Sequence, residues 1–170
     1  RACEFYYESW GQTWERQALI KARPMAGDRA LGEAFLKMVT PFVYRQSLDY
    51  AALDEIRAMK TRINVAVAEE KGERRNVKLG YGGIREIEFL VQGLQLVFGG
   101  RNPWIREVNT LRALHRLASQ RLISDADYES LVQAYSFLRK LEHRLQILHD
   151  RQTHTLPTTA KELTALARRM

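Results

Sequence analysis

Apolar residues recur along this chain at spacings of three and four, broken by short stretches containing Gly, Pro and Asn, with no strict strand-like alternation. Glu4 to Arg23 reads as helix with one interruption at Gly11, and Pro24 stops it because its ring and missing N–H cannot continue the ladder. Asp28 is the cap of a second helix reaching about Val39 and ending before Pro41. Pro41 to Arg45 then reads as a short extended or turn passage. Asp49 to about Lys71 predicts a longer amphipathic helix, with Leu53, Ile56, Met59, Ile63 and Val67 as its buried stripe and a polar loop after it to Asn76.

Ile84 to Phe98 is a further helix, ended by Gly99-Gly100. Asn102-Pro103 turns the chain into a short helix from about Glu107 to Gln120. Ser124 followed by Asp127 resembles a capping box and opens a helix of about 25 residues to His149, whose stripe runs Tyr128, Leu131, Tyr135, Leu138, Leu141, Leu145, Leu148. A loop from Arg151 to Pro157 leads to a last helix capped by Thr159, with Glu162 three residues on. Long helices with short connections predict an all-α fold, a bundle of about six helices in a single domain over 1–170; both ends look cut.

Composition narrows the function classes. The 170 residues carry 27 Lys+Arg against 20 Asp+Glu, a formal charge of +7, which opens the question of an anionic partner. Basic and acidic residues are interspersed, as in Glu69 to Arg75, so the charge reads mainly as a solvated face rather than a nucleic-acid surface. The single cysteine, Cys3, cannot form an internal disulfide, and no apolar run approaches the ~20 residues of a bilayer span. No partner membrane or nucleic acid is expected, and the location is expected to be cytoplasmic. His115, His143, His149 and His154 include no i, i+4 pair, so zinc is not expected.

The richest chemistry lies in Lys78 to Phe89. Gly80, Gly82 and Gly83 stand directly before a helix, whose unpaired N–H groups and positive dipole end would suit an anion, with Lys78 and Arg85 adding full charges. The other reading is a tight turn that lets the chain cross a neighbouring helix. On the helix that follows, Arg85, Glu88, Gln92 and Gln95 fall within an arc of roughly 80° on an otherwise apolar surface. A buried Glu88 needs a partner, and Arg85 one turn earlier is the candidate; the arc either forms that structural network or borders a ligand cleft.

Several stretches together resemble the bifunctional glutamine synthetase adenylyltransferase/adenylyl-removing enzymes. They are Tyr6-Tyr7-Glu8, Trp14 to Arg23, Pro41 to Arg45, Asp49-Tyr50, Met59-Lys60, Lys78 to Phe89, Tyr135 to Arg139, Leu141-Glu142, and Asp150 to Thr153 with Leu156-Pro157. The match covers almost the whole chain in order; the PII-uridylyltransferases share a related helical domain with a looser match. The family enzyme has two similar halves, each a nucleotidyltransferase domain followed by helices. Glu86 stands where the adenylylating half typically has Asp, so the chain is similar to the helices of the adenylyl-removing half.

The resemblance implies support for phosphorolytic removal of AMP from a glutamine synthetase tyrosine. Residues 1–23 would adjoin the nucleotidyltransferase domain upstream, in cis. ATP, ADP, phosphate and Mg²⁺ would serve the intact enzyme, with glutamine synthetase and the PII signalling protein as partners. The family's Gly-Ser and Asp-x-Asp motifs are absent, so no catalytic or metal residue is assigned and the chain alone is expected to be inactive, with no cofactor of its own. Lys21 and Arg23, about 160° apart on an ideal helix, are candidates for neutralising phosphate charge. Lys78, Gly82, Gly83, Arg85 and Glu88 are candidates for contacting nucleotide or orienting the catalytic domain. A self-sufficient helical enzyme is disfavoured for want of a nucleophile–base pair; a basic binding module without enzymatic role is the alternative.

Overall fold

The structure, a computed structural model, describes residues 2–46, 54, 58, 61, 75–149 and 153–170, without the side chains of 148 and 149. The helix expected over Asp49 to Lys71 and its stripe lie outside the described residues, apart from single positions, as does Asp150 to Gln152. The fold is all-α: among the described residues there is no strand, only an isolated antiparallel bridge between Asn76 and Thr155.

Seven α-helices are described. They are α1 (Ala2–Ser9), α2 (Thr13–Leu19), α3 (Arg29–Val43), α4 (Ile84–Phe98), α5 (Thr110–Ser119), α6 (Asp125–His149) and α7 (Ala160–Ala167), with a 3₁₀ turn at Pro103–Ile105. Contacts gather the chain into two compact units, residues 1–58 with 90–124 and residues 59–89 with 125–170.

In the first unit the break around Gly11 separates α1 from α2, and both pack on α3. The Glu15 carboxylate reaches back to accept from the Gln12 N–H at 2.7 Å, closing the start of α2. Asp28 caps α3 as expected, its carboxylate accepting from the Ala30 and Leu31 N–H groups.

Helix α3 does not stop before Pro41 but runs through it to Val43. Proline removes one ladder bond, the one to the Lys37 carbonyl, and only two helical residues follow it. Tyr44 N–H still closes on the Thr40 carbonyl at 2.9 Å. Val43 is buried and the Phe42 ring lies 5.0 Å from that of Tyr7, so apolar packing outweighs the lost bond. The rest of this unit's core includes Ile20, Val39, Ile105, Leu114 and Leu117.

In the second unit, Leu141 and Leu145 of α6 form a buried cluster with Val77 and with Leu166 of α7, and Leu138, Leu156 and Met170 pack against it. The stripe expected on α6 is its less exposed face from Tyr128 to Leu145. Thr159 caps α7, accepting from the Glu162 N–H while its hydroxyl donates to the Glu162 carboxylate at 2.6 Å.

Candidate functional site

The glycine turn is held by its own backbone. Asn76 Oδ1 accepts from the N–H groups of Lys78 and Leu79, and Gly80 N–H closes back on the Asn76 carbonyl. Gly82 has φ +73°, the left-handed region that favours glycine. A Cβ on Gly83 would sit 2.7 Å from the Gly80 carbonyl oxygen and 2.8 Å from that of Lys78. Both glycines are therefore required by the path of the chain.

The donors at the start of α4 are engaged within the turn. Gly82 N–H donates to the Glu86 carboxylate, Gly83 to Gly80, Ile84 to Val77, Arg85 to Lys78 and Glu86 to Gly83. A helix start binds anions through N–H groups that lack partners. Here residues 82–86 each have one, so the turn is closed on its own backbone.

Lys78 does not point its charge at that turn. Its Nζ lies 3.7 Å from Oε1 of Glu142, a carboxylate only 6% exposed. Arg139 Nη1 approaches Oε2 of the same group at 2.6 Å, and His154 Nδ1 lies 3.0 Å from Oε1. His154 also accepts from the Val77 N–H through its carbonyl, and Leu156 N–H donates to Arg75. Glu142 thus ties α6 to both the segment before the glycine turn and the segment after α6.

The polar arc on α4 separates into different environments. Gln95 is fully buried and its amide donates to the carbonyls of Ile105 and Glu107, each at 2.8 Å. Gln92 is buried too. Glu88 takes its hydrogen bond from the Tyr135 hydroxyl at 2.9 Å, not from Arg85, whose exposed guanidinium lies 5.3 Å over the Phe89 ring. Arg85 finds that ring at i, i+4, as accessible on the helix surface as Glu88 at i, i+3. The arc is therefore neither an Arg85–Glu88 network nor one continuous cleft wall.

Lys21 and Arg23 also part company. Lys21 Nζ donates to the Val108 carbonyl at 2.6 Å and to the Thr110 hydroxyl at 3.1 Å, bracing the start of α5, while Arg23 is exposed. Beside this start, Glu107 accepts from the Asn109 N–H and pairs with Arg112 at 3.1 Å and Arg116 at 2.9 Å. Burial pushes the Glu107 carboxyl up, but the Asn109 N–H and then the Arg112 and Arg116 guanidinium groups outweigh it, and the net pKa is lowered.

Two family models match this chain. The one described as GlnD PII-uridylyltransferase covers residues 57–170, and the one described as Glutamate-ammonia ligase adenylyltransferase covers residues 1–38. Among curated relatives, the bifunctional glutamine synthetase adenylyltransferase/adenylyl-removing enzyme of Rhizobium meliloti is 52% identical over 98% of this chain. Those of Xanthobacter autotrophicus and Stenotrophomonas maltophilia are 48% and 49% identical over 97% and 98% of it. The chain belongs to this adenylyltransferase/adenylyl-removing enzyme family. It spans 17–18% of the length of these three relatives.

Within this adenylyltransferase/adenylyl-removing family member, Lys21 and Arg23 lie in the segment matched by the ligase-adenylyltransferase model. The glycine turn, Arg139, Glu142 and His154 lie in the part matched by the uridylyltransferase model. Sequence reasoning singled out Lys78 but missed its partner Glu142. The available signal was position: 138, 141, 142 and 145 share one helical face, so a charge at 142 sits within an apolar stripe.

Gly83→Ala forces a Cβ against two backbone carbonyls and is expected to cost about 1–3 kcal/mol. Gly93→Ala, mid-helix with nothing within 4 Å of its added methyl, is expected to gain up to ~1 kcal/mol. Thermal melting of the two variants checks the contrast. Because the folded pKa of Glu107 is lowered, its stabilisation is present above the unfolded value of 4.5 and is lost as pH falls through the folded value. The melting-temperature gap between the unaltered chain and Glu107→Gln is therefore expected to be widest near about pH 7 and to shrink toward about pH 3.

Proposed function

We propose that the full-length protein adenylylates and deadenylylates glutamine synthetase, and that this chain is the helical domain serving the deadenylylating reaction. In that reaction a phosphate oxygen attacks the phosphorus of tyrosine-bound AMP, the bond to the tyrosine oxygen breaks, and ADP leaves. The observation that carries the reading is 52% identity over 98% of the chain to a relative bearing both activities in its name. Glu86, in the position where the adenylylating half typically has Asp, supports the assignment to the removing half.

ATP, ADP, phosphate and Mg²⁺ belong in this reading to the catalytic domain of the intact, cytoplasmic enzyme. Glutamine synthetase is its substrate and the PII protein its regulator. Among the described residues no three His, Cys, Asp or Glu side chains cluster, so no step through a divalent cation is assigned to them.

The role of this chain is then to present groups, not to perform the bond change. The first helical segment ends at Leu19 rather than at Arg23, so both cations lie beyond α2; Arg23 is the better placed to meet phosphate, since it is exposed while Lys21 braces Val108 and Thr110. Lys78, Gly82, Gly83 and Glu88 serve nucleotide chemistry indirectly, by fixing the turn and helix that carry exposed Arg85.

Arg23→Ala in the full-length enzyme is expected to lower kcat/KM for phosphate in deadenylylation about tenfold, the loss of one charge-assisted contact of ~1.4 kcal/mol, with melting temperature unchanged. Lys21→Ala is expected to do the reverse, lowering melting temperature with little change in kcat/KM. Unchanged phosphorolysis in Arg23→Ala rejects the role.

A further inference from the structure

In the first unit a cleft of ≈630 Å³ opens beside α1 and α3. Glu4 and Glu8, one helical turn apart on α1, lie on one side, and Lys37 of α3 on the other, with Arg45 just beyond the end of α3. Tyr7, Met38 and Phe42 supply apolar surface between them.

Two features converge on one kind of occupant. Opposite charges line the cleft, yet among the described residues Glu4, Glu8 and Lys37 form no ion pair or side-chain hydrogen bond, so these charges are available to a ligand that carries both signs. From Ala34 to Phe42 the α3 wall runs about 12 Å at 1.5 Å per residue, the reach of about four extended residues.

We propose that this cleft docks a short extended segment of a partner protein. A basic side chain of that segment sits against Glu4 and Glu8, an acidic one against Lys37, and apolar side chains between them lie on Met38, Phe42 and Tyr7. This docking is independent of the deadenylylation reading and can fail without it.

The test uses the full-length enzyme and a fluorescein-labelled, end-blocked peptide with lysine at one end, glutamate at the other and two leucines between. Fluorescence polarisation is expected to show saturable binding that Glu8→Gln weakens about fivefold to tenfold. The same variant is expected to make no difference once the peptide lysine is replaced by norleucine, because the coupled pair is then already broken. Lys37→Met is expected to behave in the same way toward replacement of the peptide glutamate by glutamine. These side chains are exposed, and unchanged melting temperatures verify that both variants fold. Absence of saturation, or losses that do not depend on the charges of the peptide, would overturn the proposal.

Discussion

A carboxylate set among leucines calls for positive charge, and Glu142 is answered by Arg139 and Lys78, with His154 Nδ1 lying 3.0 Å from it. These partners come from three places in the sequence: one turn earlier on α6, the stretch before the glycine turn, and the stretch before α7. The same two flanking stretches meet through the Asn76–Thr155 bridge and the bonds from Val77 to His154 and from Leu156 to Arg75. Below them lie Val77, Leu141, Leu145 and Leu166. The ion cluster fixes where residues 75–78 run, and that path in turn sets the carbonyls of Val77 and Lys78 that close the start of α4.

Much of the polar chemistry elsewhere in the chain follows this pattern. Lys21 holds the loop before α5, buried Gln95 holds the carbonyls of Ile105 and Glu107, and Glu107 gathers Asn109, Arg112 and Arg116. Arg106 donates to the Gly99 carbonyl at 2.7 Å and lies 4.8 Å over the Tyr44 ring. Burial raises the pKa of that tyrosine to about 12, with Arg106 opposing, so the hydroxyl stays protonated across the working range. Charged and amide side chains here shape loops between helices.

Local signals in the sequence were sufficient where one residue decides the outcome. Asp28 and Thr159 mark helix starts because a side-chain oxygen meets N–H groups two or three residues on, and the break near Gly11 separates two helices. Leu141 and Leu145 announce the buried face of α6 through their spacing. Pro41 misleads because its local penalty is one hydrogen bond, whereas the gain from burying Val43 and packing Phe42 on Tyr7 is tertiary. The glycine turn is open in the sequence: three glycines before a helix suit an anion or a crossing, and the N–H partners only come into view with the positions of the Val77, Lys78 and Gly80 carbonyls. Arg85 and Glu88 were paired on spacing alone, while Tyr135, 47 residues away from Glu88, takes the carboxylate. Family resemblance was legible from motif order, whereas which motif residues face outward was not.

Glu142, by this geometry, positions the backbone around the glycine turn rather than meeting a ligand. Hydrogen exchange of Glu142→Gln tests this directly, since glutamine keeps the shape and removes the charge that Lys78 and Arg139 require. Amide protection is expected to fall together at Val77, Ile84, Arg85 and Leu156, the donors that bind these two segments, while the amides of α5 keep theirs. Protection that stays unchanged at those four amides would contradict the account.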